Sequence, residues 1–360
     1  MKILTLIDSF KGTITSKRLG ELTKKVLETK GHCVRPIAIS DGGDGFLDAI
    51  SENIQLKEIK CKVHDPLMRV IETYYLVTED VAYIELAKAS GISLLKESEL
   101  NPFLATTYGF GEMIKDAISK GYKKIVIGIG GSATDDGGSG MLEALGAMFY
   151  DSEGNLLEKM NNEKLASIAK IHIGSVRSLL QDIEVEIYSD VINPLLGENG
   201  AVYVFARQKG AKEEDLEVLE ANMNHYKNII EEQVFGINNL SESGEGAAGG
   251  VGFAFNRIIR AKMGTGSVKI LDLIDFESIC KEYDIIITGE GKFDSQSLEG
   301  KVITGVMNYN PKRLLIVCGI SEIKDDQLEI YSIVPTITSK EESLANPEES
   351  LAKLINSLEL

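Results

Sequence analysis

A chain of 360 residues with 43% hydrophobic and 26% charged side chains is long enough for two domains, each with its own core, and its composition excludes wholesale disorder and a fibrous repeat. Its net charge of −17 creates a field that repels polyanions and acidic lipid, so neither nucleic acid nor a membrane is expected as a partner. No stretch reaches the ~18 apolar residues of a membrane span, and the first apolar run stops at Asp8, too soon for a secretory segment, so a cytoplasmic chain is expected.

Lys2 to Ile7 reads as a buried strand, and Leu19, Leu22, Val26 and Leu27 share one face of a helix over 16–28. Arg35 to Ile39 reads as a second strand, closing at Ser40-Asp41-Gly42-Gly43. From Lys57 to Leu86 the pattern changes to alternation, as in Val70 to Val77 and Val81 to Leu86. That predicts antiparallel or mixed strands and the start of a second domain of different architecture. A helix from Thr107 to Lys120 aligns Phe110, Met113, Ile114, Ala117 and Ile118, with Gly121 as its stop, and Lys123 to Ile127 follows as a strand. Later strands are expected at Val185 to Ser189, Asp284 to Thr288, Arg313 to Val317 and Tyr331 to Pro335, and a polar amphipathic helix within 341–360. β-Branched runs that end in Gly, Asp or Ser and lead into helical periods indicate an α/β fold with parallel strands, whose carboxyl ends hold ligands.

The chain holds 35 glycines, above the typical share of about 7%, and they cluster at those strand ends. Gly128-Ile129-Gly130-Gly131-Ser132-Ala133-Thr134-Asp135-Asp136-Gly137-Gly138-Ser139-Gly140 leads from a strand into a helical pattern near Met141, where glycine lets phosphate oxygens approach backbone N–H groups. Its first six residues also fit the G-x-G-x-x-A dinucleotide fingerprint, with Asp151 about twenty residues on, so a nicotinamide-dependent dehydrogenase is the rival reading. Asp135 and Asp136 weigh against it, because acids beside a pyrophosphate make sense when a cation lies between them. Asp8-Ser9-Phe10-Lys11-Gly12-Thr13, Ser40-Asp41-Gly42-Gly43-Asp44-Gly45, Ser189-Asp190 and Thr288-Gly289-Glu290-Gly291-Lys292-Phe293-Asp294 share the same mixture of glycine, acid and hydroxyl. Each alone is an ordinary capped turn. Together they supply what phosphoryl transfer needs: carboxylates for Mg²⁺, cations and amides for phosphate oxygens, and a carboxylate base. No Walker motif occurs, and His32, His64, His172 and His225 lie outside these loops, which disfavours histidine-based catalysis. Cys33, Cys61, Cys280 and Cys318 are too widely spaced for a zinc site and read as reduced thiols.

These segments, with Asp65-Pro66-Leu67, Ala89-Ser90-Gly91, Thr106-Thr107-Tyr108-Gly109, Asn193-Pro194-Leu195-Leu196-Gly197, Gln208-Lys209-Gly210-Ala211, Gly246-Ala247-Ala248-Gly249-Gly250, Gln296 and Ser297, occur in family order over nearly the whole chain. They resemble the bacterial glycerate kinases of the 2-phosphoglycerate-forming type. The resemblance implies ATP-dependent phosphorylation of the 2-hydroxyl of D-glycerate with Mg²⁺. It also implies two unlike α/β domains, one flavodoxin-like with a parallel sheet and one with a mixed sheet, and an active site in the cleft between them. Residues 1–60 with 282–360 are expected to form the first domain and 61–281 the second. The family usually has Asn at Asp135, Glu at Asp44, Thr at Phe46 and Arg at Lys292. The first departure adds charge beside the glycine loop, the third offers to narrow a pocket, and the last replaces a forked donor by a point charge.

Within that reading Lys11 and Lys292 are placed on phosphate oxygens, because the transition state spreads negative charge that fixed cations offset. Asp190 is the first candidate for the base and Asp8 the second, while Asp41, Glu290 and Asp294 are candidates to hold Mg²⁺ or orient the lysines. Nucleotide and glycerate binding is assigned to Ser9, Gly42, Gly43, Gly130, Gly131, Ser132, Thr134, Gly249 and Gly250. Arg69 and Arg207 are alternatives for the glycerate carboxylate. A homo-oligomer and a non-catalytic nucleotide-binding regulator stay open.

Overall fold

The computed structural model describes residues 1–10, 13–40, 42–43, 45–234, 242–298 and 302–360. Its strands in chain order are β1 (Lys2–Ile7), β2 (Cys33–Pro36), β3 (Lys57–His64), β4 (Val70–Val77), β5 (Val81–Glu85), β6 (Lys124–Gly128), β7 (Met148–Tyr150), β8 (Leu156–Leu157), β9 (Lys170–His172), β10 (Glu184–Tyr188), β11 (Lys262–Gly264), β12 (Ile285–Phe293), β13 (Leu314–Ser321) and β14 (Glu329–Val334). The chain divides into two compact units, Met1–Gln55 with Gly264–Leu360, and Leu56–Met263.

The first unit is built on a sheet of order β14-β13-β12-β1-β2 in which every pairing is parallel. Counted within the unit this is the flavodoxin-like order, with its topological switch point between β1 and β12. Ile3, Ile7, Ile285, Ile287, Leu315 and Val317 pack into one core with Leu19 and Leu27 of the helix Ser16–Thr29 and Leu351, Leu354 and Ile355 of the helix Pro347–Ser357. Burial on both faces explains why β1 is apolar on either side of the buried Thr5 and does not alternate. The second strand ends at Pro36 rather than running to Ile39. Ile37, whose N–H still donates to the Thr5 carbonyl at 2.8 Å, is buried with Ala38 and Ile39 beyond the last paired residue.

The second unit carries a six-stranded sheet of order β11-β10-β6-β5-β4-β3 and a small sheet of order β8-β7-β9. β3 pairs antiparallel with β4 and β4 with β5, whereas β5, β6 and β10 run parallel, so the alternating stretch does yield a mixed sheet. Phe110, Met113, Ile114 and Ala117 of the helix Tyr108–Ser119 share one core with Ile125 and Ile127 of β6. The unit begins before Lys57 because β3 pairs along its full length, from Lys57 opposite Val77 to His64 opposite Val70, and a boundary at residue 60 would cut it. The segment 264–281, read from the sequence as part of the second domain, packs with the first unit, where Leu271 lies against Gly305. Among the described residues no helix is long and apolar enough to cross a membrane.

Candidate active site

The first unit concentrates its acids at the switch point. Asp8 follows β1 directly, donates its N–H to the Gly289 carbonyl (2.8 Å), and accepts the Ser9 N–H at Oδ1 (2.7 Å). Glu290 follows Gly289 on the neighbouring strand, and the carboxylates of both Asp8 and Glu290 are buried, at 8% and 9% exposure. Gly289 is demanded by the close approach of β13, since a Cβ there would lie 1.8 Å from the Val317 oxygen. Ser16 ties the two loops of this edge together, for its hydroxyl donates to the Ile7 carbonyl (2.6 Å) and accepts the Ile39 N–H (2.9 Å). A serine inside a helix start reads as a cap, so sequence reasoning passed over it. Gly42 has φ +87° and donates its N–H to the Ser40 hydroxyl at 3.2 Å, with the half-buried Gly43 beside it.

Lys292 lies further along β12, exposed, between Asp294 (3.2 Å) and Glu322 (2.9 Å), and these partners, Glu322 first, raise its pKa. Asp294 meanwhile opens a turn in which its N–H donates to the Ser297 hydroxyl at 3.0 Å. Lys11 and Asp41 lie outside the described residues. Phe46 is fully buried in the helix Phe46–Ser51, so it fills the interior and does not narrow an open pocket.

In the second unit three parallel strands end together, with Glu85, Gly128 and Tyr188 in register. Beyond them come Leu86, the glycine loop, and Ser189 with the half-buried Asp190. Gly130 and Gly131 are half-buried, whereas residues 132 to 140 face inward. The Ser132 and Thr134 hydroxyls, expected on phosphate, are buried and bonded to each other at 2.7 Å, and so shape the loop from within. Asp136 accepts four hydrogen bonds, from the Thr107 N–H (2.8 Å) and hydroxyl (2.7 Å) and from the N–H groups of Gly138 (3.0 Å) and Gly140 (3.2 Å). Burial raises its carboxyl pKa, and those bonds offset only part of the rise. The expectation of a cation beside Asp135 is met by the Lys209 ammonium, 2.9 Å from Oδ1, and not by an outward-facing metal position.

Ala248, Gly249 and Gly250 form a left-handed turn (φ 53°, 66° and 88°) directly before the helical residues that start at Val251, and the turn packs against the loop, with the Gly137 N–H donating to the Gly249 carbonyl at 3.0 Å. The same segment reaches the chain just beyond Asp190, as the Gly246 N–H donates to the Asn193 carbonyl at 2.9 Å. One glycine-rich segment therefore fixes both the loop and the chain just beyond Asp190.

Arg69 and Arg207, each about half exposed, hold carboxylate partners that a glycerate carboxylate would have to displace, as phosphate would at Lys292. Arg69 binds Asp65 (2.5 Å) and Glu99 (2.7 Å), and Arg207 forms a two-pronged pair with Glu213 (2.9 Å on each prong). The dinucleotide reading fails on geometry. The helix after the loop spans Ser139–Ala144, well past Ala133, and Asp151 accepts the N–H groups of Glu153 and Asn155 in the turn between β7 and β8. Nor do the histidines form a site: His64 pairs with Glu112 (2.9 Å), His225 bonds the Ile168 carbonyl (2.7 Å), and His172 meets the Tyr150 ring edge-on.

No group of three or more His, Cys, Asp or Glu able to cage a metal occurs among the described residues. Mg²⁺ does not need one, since it is usually held by one or two carboxylates with water and substrate phosphates. The two buried carboxylates at the switch point suit it as hard oxygen donors.

The Glycerate kinase family profile matches residues 3–359. The chain is 33% identical to the glycerate kinase of Bacillus subtilis (strain 168), over 98% of this chain and 95% of the relative. It is 32% identical to the glycerate 2-kinase of Escherichia coli (strain K12), over 98% and 96%. The crystal structure of a candidate glycerate kinase 2 from Salmonella typhimurium LT2 superposes with a TM-score of 0.76 at 30% identity, covering 99% of this chain and 96% of that one.

Proposed function

Because this chain belongs to the glycerate kinase family, and is therefore a kinase, we propose that it transfers the γ-phosphoryl group of ATP to the 2-hydroxyl of D-glycerate, giving 2-phosphoglycerate and ADP. The choice of oxygen is supported by the likeness to the Escherichia coli glycerate 2-kinase. The observation that carries the reading is the pair of buried acids at a topological switch point, Asp8 just past the end of β1 and Glu290 within the neighbouring β12.

In the proposed reaction the glycerate hydroxyl oxygen forms a bond to the γ-phosphorus as the bond from phosphorus to the β,γ-bridging oxygen breaks, its electron pair leaving with ADP. Asp190 accepts the hydroxyl proton, with Asp8 second in line for that role. Asp8 and Glu290 hold Mg²⁺, with Asp294 and Asp41 as further candidates, and the ion offsets charge on the phosphate oxygens when bound. Lys292 and Lys11 add fixed positive charge. Lys292 must first exchange its carboxylate partners for phosphate, which its exposure permits. The N–H groups of Ser9, Gly42, Gly43, Gly130 and Gly131 serve as donors to phosphate or to the glycerate carboxylate. A cytoplasmic location accords with these substrates.

An ADP-release assay across small hydroxy acids tests the reading. Release is expected to depend on D-glycerate, to fall at least about 100-fold when EDTA removes divalent metal, and to return with Mg²⁺. Nucleotide binding without glycerate-dependent release would instead mark a regulator.

A further inference from the structure

Under the glycine loop lies a polar network shut off from solvent. The Lys209 ammonium, on a side chain 2% exposed, donates to the Thr134 carbonyl (2.6 Å) and to Asp135 Oδ1 (2.9 Å), and the Asp135 side chain is 0% exposed. The Asp135 carbonyl accepts from Asn162 Nδ2 (2.8 Å), and Asn162 Oδ1 accepts from Asn222 Nδ2 (3.0 Å). Asp135 Oδ2 has no hydrogen-bond partner among the described residues. Two charges withdrawn from water in this way are expensive, and an apolar pair of similar volume would serve folding at least as well. Stability alone therefore does not account for the pair. What it does hold is the Thr134–Asp135 peptide, a few residues beyond the half-buried Gly130 and Gly131 in the loop after β6, whose neighbouring strand β10 ends at Tyr188, two residues before Asp190.

We propose that Lys209 and Asp135 are positioning residues for phosphoryl transfer, whose buried ion pair locks the glycine loop in its working position without either residue touching substrate. This rests on the kinase reading above. The charged groups around Asp135 are Lys209, the neighbouring Asp136, and Glu220 of the helix Leu216–Gln233, whose Oε1 accepts the Gly197 N–H at 2.6 Å. Burial pushes the Asp135 carboxyl up to about 6, with Lys209 opposing the shift. Above that pH the carboxylate is charged and the pair intact. Below it the proton leaves the Lys209 charge buried without its counter-ion.

The experiment compares the full chain with Lys209→Met, Asp135→Asn and the double variant, following glycerate-dependent ADP release from about pH 5 to about pH 8 together with thermal melting. Lys209→Met is expected to lose at least about tenfold in kcat, with KM for ATP and glycerate within about threefold. Asp135→Asn, which introduces the residue the resembled kinases usually carry there, keeps an oxygen for the Lys209 ammonium and is expected to lose less kcat than Lys209→Met while losing the fall at low pH. The double variant buries no lone charge, so its melting temperature is expected to recover while kcat stays low, because the bond to the Thr134 carbonyl is gone. The fall in wild-type kcat near the Asp135 titration is expected to vanish in it. Should a single variant fail to fold, the double variant and the wild-type profile decide. Recovery of wild-type kcat together with melting, or a Lys209→Met enzyme within about threefold of the parent, would overturn the proposal while leaving the kinase reading intact. A wild-type chain that released no ADP with glycerate would overturn both.

Discussion

Asp190→Asn is expected to lower kcat at least about 100-fold, the loss usual for a general base, with little change in melting temperature. The substitution is nearly isosteric and leaves the backbone pairing of β10 with β6 through Tyr188 and Gly128 untouched. An amide cannot accept the hydroxyl proton. The neighbouring loop is held by the Gly246 and Gly249 contacts and by the Asp136 hydrogen bonds, none of which involves the Asp190 side chain. A variant within about threefold of the parent would remove Asp190 from the role and pass it to Asp8. Parallel loss in Asp8→Asn would not separate the two carboxylates by itself, because Asp8 is also proposed to hold Mg²⁺. A kcat that recovers as Mg²⁺ is raised marks the metal role, and one that does not marks the base.

The second large effect concerns stability. Gly249→Ala places a Cβ 1.9 Å from the Thr134 oxygen and 2.7 Å from Asp135 Oδ1, at a residue with φ +66°. The left-handed backbone costs an alanine about 1 kcal/mol, and overpacking against a buried main-chain oxygen adds roughly 1 to 3 kcal/mol more. A total near 3 kcal/mol corresponds to a drop of about 6 to 12 °C in the melting temperature of a unit this size. Gly154→Ala is the control, for Gly154 also has positive φ (+83°) but nothing within 4 Å of its would-be Cβ. It is expected to lose about 1 kcal/mol, the backbone cost alone. Equal losses in the two variants would mean that the close approach of the left-handed turn to the glycine loop is not what Gly249 provides.

Much of the fold was legible where burial and periodicity agree. β1 is apolar on both sides of Thr5 because both faces are covered, and β4 alternates because one face looks outward, so both were read with their true limits. The short strands β7 to β9 carry two or three residues each, too few for any period to register. The glycine loop was legible as a strand-to-helix turn but not in its orientation. Spacing alone does not say which side of a turn faces the core, so Ser132 and Thr134 were read as ligand contacts and prove to be bonded to one another inside. Asp135 and Asp136 carried a signal of the right kind, acids that needed a cation or donors. Their partners, Lys209 and Thr107, lie far away in sequence. Lys209 sat in a segment quoted for family resemblance, and a lone lysine beside arginine and glutamine otherwise reads as a solvated surface.

Phosphorus NMR of the product formed from ATP and D-glycerate tests the central claim most directly. Phosphoryl transfer to the 2-hydroxyl predicts a phosphate-ester signal split into a doublet by the single proton on that carbon. A triplet, from the two protons of the terminal carbon, would contradict it and move the acceptor to the other hydroxyl.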